Sequence, residues 1–332
     1  MKRKFGNLFG WGLAASIGLF IVNTMGFIDT VTGSAMGCGK EWPLCDGSFI
    51  PSVWDRATTI EYTHRLIAFL VILTLVTFAV LSWIHYRNWK EVRTLIGIAV
   101  LAVSAEAGLG ASSVLVDNPV WILAFHMGVA FTAFTSCVLL TIVVGQIEKQ
   151  RKRKKPGKLR GVSLPGFRAR VWITMIYVFL AIYYGAFVTH SGYGGLFRGW
   201  PIPSETYLEA GIGLWIDFGH RLVALGLFIL VLSLFRKAYR MRWVRRDLFI
   251  GSLCVLTLTV LQIFSGAYLI LSNVSVPAFL SHVSLASLLF VSVAYLAMQT
   301  LPEGQVHTRE TRRIEEQQTA RNSHGKFPKT YY

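Results

Sequence analysis

The sequence predicts an all-α integral membrane protein whose eight transmembrane helices form two duplicated four-helix bundles. Three observations carry that expectation. The 332 residues are 53% hydrophobic and only 15% charged, a balance that water does not solvate as soluble domains. The apolar residues fall into eight long runs, and the mean hydropathy of the chain is +0.51. A histidine-centred motif recurs at an offset of 156 residues. The same figures exclude a disordered chain and a disulfide-dense secreted domain. A transmembrane β-barrel is excluded too, because the runs are continuously apolar over about 18 residues or more, enough for one helix to cross, instead of alternating.

The runs lie roughly at 11–28, 64–86, 94–113, 120–146, 171–189, 220–235, 248–271 and 277–299. The first follows Lys2-Arg3-Lys4 and imitates a signal peptide, but it is long and lacks a small-x-small cleavage site, so it counts as helix 1. An even number of helices brings both termini to one side. The segments Met1–Gly10, Arg87–Arg93, Glu148–Arg170, Arg236–Asp247 and the tail beyond Thr300 hold all 33 Lys and Arg residues except Lys40, Arg56, Arg65, Arg198 and Arg221. By the positive-inside rule these basic segments and both termini are cytoplasmic, in a multi-pass protein of the cell (plasma) membrane. The net charge of +16 follows from that asymmetry. A basic run such as Arg151–Lys155 beside anionic lipid then requires no nucleic-acid partner. Residues 1–147 form an N-terminal half, 148–170 a basic cytoplasmic linker, 171–300 a C-terminal half, and 301–332 a polar cytoplasmic tail, expected to be disordered or loosely attached.

The duplication is read from the histidines. Glu61-Tyr62-Thr63-His64-Arg65-Leu66 opens helix 2 and Asp217-Phe218-Gly219-His220-Arg221-Leu222 opens helix 6. His126 near the start of helix 4 and His282 near the start of helix 8 are also 156 residues apart, so both histidine pairs span 62 residues. Leu109-Gly110 against Ser265-Gly266 and Trp42-Pro43 against Trp200-Pro201 flank them. Helices 2, 4, 6 and 8 all run inwards, which puts the four histidines at the outer end of the membrane. In an up-and-down bundle of four, the second and fourth helices stand diagonally. His64 can face His126, and His220 can face His282, across a space that a flat macrocycle could fill. Two imidazoles approaching from opposite faces are what a six-coordinate haem iron needs. Four intramembrane histidines at repeated spacing favour haem iron over four unconnected hydrogen bonds to carbonyls. Zinc or copper is less attractive, since little thiolate or carboxylate is near to complete a tetrahedral site. His85, His190, His307 and His324 read as interfacial or solvated, with His190 in an outer loop.

The loop between helices 1 and 2 carries Cys38 and Cys45, which on the oxidising side of the membrane are expected to form a disulfide, metal binding being the alternative. Cys137 and Cys254 read as small core residues. Glu61, one helical turn before His64, is either an acid/base at a haem edge or an N-terminal helix cap. Arg65 and Arg221 either pair with haem propionates or anchor their helices at the interface.

The eight-helix duplicated plan, the Glu-x-x-His-Arg motif, the four outer-end histidines and the Thr-Gly…Cys-x6-Cys loop with its Trp-Pro-Leu-Cys resemble the haem A synthase family of the Bacillus type over roughly residues 8–300. That resemblance implies an enzyme, a membrane oxidoreductase that oxidises the C8 methyl of haem O to a formyl group, giving haem A for terminal oxidase assembly. It implies haem b as cofactor on His220 and His282, the substrate haem O on His64 and His126, and Glu61 as an essential acid/base. Membrane lipid, haem O synthase and the oxidase assembly pathway are its implied partners, and Cys38 and Cys45 match the family's outer-loop pair. The second loop departs from some relatives, since no cysteine pair precedes Trp200-Pro201. Two other classes compete: a bis-histidine b-type cytochrome that relays electrons without modifying haem, and a transporter of parallel repeats. The transporter ranks last, because beyond Glu106 little charge lies at depth.

Overall fold

The computed structural model describes residues 7–153, 165–206 and 211–301. Their regular elements are eight α-helices, α1 Leu8–Thr32, α2 Arg56–Tyr86, α3 Lys90–Leu115, α4 Val120–Arg153, α5 Pro165–His190, α6 Ile212–Arg240, α7 Arg246–Leu271 and α8 Val276–Gln299, with one 3₁₀ turn at Tyr193–Gly195. All eight are long and apolar enough to cross a membrane. Several outrun the apolar stretches that announce them. α2 begins at Arg56 because Asp55 caps it, its Oδ1 accepting from the Thr58 N–H at 2.7 Å. That bond favours the charged form and holds the Asp55 carboxyl below its ordinary range. α1 ends where Gly33 adopts a left-handed conformation, φ 66°, and returns its N–H to the carbonyls of Asp29 and Thr30. The segment expected as a linker over 148–170 is helical at both ends, α4 running on to Arg153 and α5 starting at Pro165. The tail expected at 301–332 lies outside the described residues apart from Leu301.

α1 packs on α2 and α4, and α3 on α2 and α4, closing a ring of four; α5 packs on α6 and α8, and α7 on α6 and α8, closing a second. The rings meet through α4 on α5, α1 on α8 and α4 on α8. Exchanging the first four helices with the last four leaves this pattern unchanged. Small residues set the close approaches. A Cβ on Gly12 would lie 2.5 Å from Thr141 Oγ1 and 2.6 Å from Phe78 Cζ, so α1, α2 and α4 meet there only without a side chain. Burial runs opposite to that of a soluble protein. α2 turns Leu66, Phe69, Leu70, Leu73, Val76 and Val80 outwards at helical spacing, a stripe suited to acyl chains. α4 is the most enclosed helix, as its place between the two rings requires.

Candidate functional site

The connections α1–α2, α3–α4, α5–α6 and α7–α8 lie at one end of the molecule, and the four repeated histidines lie at that end. His64 stands eight residues into α2 and His220 eight into α6, while His126 and His282 stand six into α4 and α8. Each is half-buried and each lies against a glycine of the preceding helix. Added Cβ atoms would sit 3.3 Å from His64 Cε1 at Gly26, 3.3 Å from His126 Cε1 at Gly110, 3.0 Å from His220 Cε1 at Gly185 and 3.4 Å from His282 Cε1 at Gly266. Four imidazoles thus rest on bare helix backbone, which leaves each ring little freedom except toward its ring's interior. Gly110 and Gly266 were visible in the sequence as repeated neighbours; their contact with the rings was not.

In the second ring His220 and His282 line one cavity of about 650 Å³, within the range of about 300–1,000 Å³ usual for cofactor sites. Its walls are mostly apolar, with Thr189, Asp217, Arg221, Thr259 and Gln262 as polar exceptions beside the histidines, and Trp200 and Pro201 of the α5–α6 loop also line it. The donor chemistry suits a bis-imidazole iron site. Ser265 gives its hydroxyl proton to the Gln262 carbonyl at 2.8 Å, so its oxygen, 2.9 Å from His282 Nδ1, can only accept there. His282 then carries its proton on Nδ1 and keeps the Nε2 lone pair for a ligand. Gln262 Nε2 lies 3.2 Å from His282 Nε2, so the amide would turn aside for an iron to take that lone pair. His220 Nδ1 is buried without a hydrogen-bond partner, and Tyr184 packs edge-on against its ring at 5.9 Å. Two imidazoles lining one mostly apolar cavity, each over a glycine that a Cβ would crowd, fit a flat haem.

The first ring matches that plan with more acid. His64 Nδ1 and His126 Nδ1 are both buried without a hydrogen-bond partner, the latter 3.3 Å from Glu106 Oε1 on α3. Glu106 Oε2 and Asp29 Oδ1 are also buried without partners. Sequence reasoning assigned neither carboxylate a role, although Glu106 and Gln262 are themselves 156 residues apart and the repeat could have paired them.

Glu61 does not cap α2, which Asp55 does. It is 3% exposed; its Oε2 accepts from the Cys38 N–H at 2.7 Å, and its Oε1 pairs with Arg65. Arg65 donates onward to the Leu44 carbonyl at 2.9 Å, and Thr58 donates to the Gly37 carbonyl at 2.7 Å. Cys38 and Cys45 are disulfide-bonded. The loop is therefore fastened to α2 through the acid–arginine pair that precedes and follows His64. The second ring repeats the clamp without cysteines: Asp217 pairs with Arg221 at 2.8 Å, and Arg221 donates to the carbonyls of Gly199 at 2.7 Å and Pro201 at 3.3 Å. The Trp42-Pro43 and Trp200-Pro201 bonds are both cis.

Two expectations are corrected. His190 is the last residue of α5 and half-buried, because that helix outruns its apolar stretch. Cys254 is exposed on the outside of α7, whereas Cys137 is buried beside Ser16, so only the latter is a core residue. His85 lies in the last turn of α2 with Nδ1 2.8 Å from the Leu81 carbonyl. His307 and His324 lie outside the described residues.

A family model described as cytochrome oxidase assembly protein, COX15-CtaA, matches residues 52–294. The haem A synthase of Staphylococcus saprophyticus subsp. saprophyticus is 30% identical over 301 residues, covering 90% of this chain and 98% of that protein. Those of Staphylococcus epidermidis and Staphylococcus aureus are 30% and 29% identical over 295 and 300 residues, each covering 89% of this chain and 96% of the relative. With two rings of four helices and a histidine pair in each, the chain belongs to the COX15-CtaA family of cytochrome oxidase assembly proteins.

Proposed function

We propose that this protein is a haem A synthase, a membrane oxidoreductase that converts the C8 methyl of haem O to a formyl group for terminal oxidase assembly. The observation that carries the reading is the paired geometry of the histidines, two per ring on diagonal helices, with His220 and His282 facing one cavity. Methyl-to-formyl conversion, written as the half-reaction R–CH3 + H2O → R–CHO + 4 H+ + 4 e−, needs a place for substrate, a water to supply the oxygen, a group to take protons and a path by which electrons leave one at a time. The first ring, with its buried carboxylates, holds haem O between His64 and His126; the second holds haem b between His220 and His282. Haem b, when bound, supplies one-electron redox chemistry.

The chain's own groups do the rest. The four imidazoles bind and orient the two irons, with the glycines beneath them fixing ring position. Glu61 is the acid/base of the methyl oxidation, held next to His64 by Cys38 and Arg65. Arg65 and Arg221 retain guanidinium donors for the propionates. The clamped loops cover the site and limit water at the reacting edge. The asymmetry of the basic segments supports cytoplasmic termini and a histidine end at the outer face of the plasma membrane, with haem O synthase as the source of substrate.

The test is chromatography of haems extracted from membranes of a host that makes haem O and has no haem A synthase of its own. Expression of this chain should produce haem A. Unchanged haem O with abundant folded protein would leave the electron-relay cytochrome as the better reading.

A further inference from the structure

We infer that Glu106 is a positioning residue that gives His126 an anionic partner, while Ser265 and Gln262 give the equivalent His282 only neutral ones, so that the two iron sites are set to different potentials. The inference rests on the placing of a haem in each ring. Glu106 on α3 and Gln262 on α7 are 156 residues apart, the same offset as His126 and His282, so the repeat puts a carboxylate in one ring where it puts an amide in the other. The contacts follow the substitution. Glu106 Oε1 lies 3.3 Å from His126 Nδ1, an ion-pair distance outside hydrogen-bond geometry, with that nitrogen and the second carboxylate oxygen both buried without a hydrogen-bond partner; Ser265, beside Gly266 in the second ring, is Leu109 in the first, so no hydroxyl competes for that nitrogen. In the second ring Ser265 Oγ lies 2.9 Å from His282 Nδ1, and the Gln262 amide nitrogen lies 3.2 Å from the ring's other nitrogen, Nε2.

An imidazole with a carboxylate beside Nδ1 is a stronger electron donor through Nε2 than one whose Nδ1–H meets only a hydroxyl. A stronger donor stabilises ferric over ferrous iron, and hydrogen bonding around the axial ligand is one of the protein's means of setting haem potential. Glu106 therefore lowers the potential of the first-ring iron, and the neutral pair leaves the second-ring iron higher. The difference runs in the direction that draws electrons from the substrate haem toward haem b.

The test is a potentiometric titration of the full chain, purified in detergent from a host supplying haem O and haem b, with each haem followed by its visible absorbance. The wild type should resolve two one-electron components, of which His220→Ala removes the second-ring one. Glu106→Gln should shift the ferric-to-ferrous preference of the first-ring component about tenfold toward ferrous, about 59 mV upward for a one-electron couple, and leave the other in place. Gln262→Glu should move the second-ring component downward by a comparable amount. It carries the same test where Glu106→Gln does not accumulate. Two resolved components that neither exchange moves would overturn the inference while leaving the two-haem reading intact. A single component in protein loaded with both haems would overturn the two-haem reading and the inference with it.

Discussion

Glu61 shows how much one side chain can carry beyond what its spacing reveals. Its place one turn before His64 marked it as a proton donor or a cap, and the spacing was right about proximity. It could not show that the Cys38 N–H arrives from 23 residues upstream to meet it, because that contact depends on how the loop folds back over α2. With Arg65 on its other oxygen, Glu61 both sits beside the proposed substrate site and holds the loop over it. Glu61→Gln accordingly has two effects. The amide can accept from one of those donors but presents its own N–H to the other, leaving a buried donor unsatisfied at about 1–3 kcal/mol. Loss of the ionisable site should also cut haem A yield by about a hundredfold or more where proton transfer limits turnover. The two are separated by measuring thermal stability and product in matched membranes. A modest loss of stability with wild-type haem A yield would remove Glu61 from the chemistry and keep it as a clamp.

The helices were legible as elements because hydrocarbon demands long apolar runs, and the eight found are the eight expected. Their ends were not, since a helix can project past the hydrocarbon wherever caps and loop contacts support it. α2 gains Arg56–Thr63 through Asp55 and the loop, polar enough to escape a hydropathy reading, and α6 gains Ile212–Gly219, an apolar stretch that Asp217 interrupts. The same extension moves His64 and His220 deeper along their helices than expected, to the level of Gly26 and Gly185. Gly185 is the tightest of the four seats. Gly185→Ala would put a methyl 3.0 Å from His220 Cε1, displacing the ring by a few tenths of an ångström at a cost of about 1–3 kcal/mol. The expected outcome is a folded protein that loses haem b during purification and shows a weakened low-spin spectrum. Full haem b retention with an unchanged spectrum would mean that the glycine does not set ring position.

At the scale of the molecule, two similar rings serve unlike ends. Their cores interlock: Phe27 of α1, next to the glycine under His64, meets Phe131 of α4 and Phe279 of α8 edge-on at 5.8 and 6.5 Å. Phe131 and Phe279 in turn line the His220–His282 cavity. The repeat made the two-site plan readable from sequence, and it concealed the differences that matter, the buried carboxylates of Asp29 and Glu106 in the first ring. The central claim is that the first ring presents haem O for oxidation while the second holds haem b. It is tested most directly by the haem content of the full chain purified from a haem O-producing host, compared with its His220→Ala and His64→Ala variants. The account predicts haem b together with haem O or haem A in the wild type, loss of haem b with unconverted haem O retained in His220→Ala, and haem b alone in His64→Ala. Haem A formed at wild-type level by both variants, or haem b as the sole pigment of a wild type that leaves haem O untouched, would contradict it.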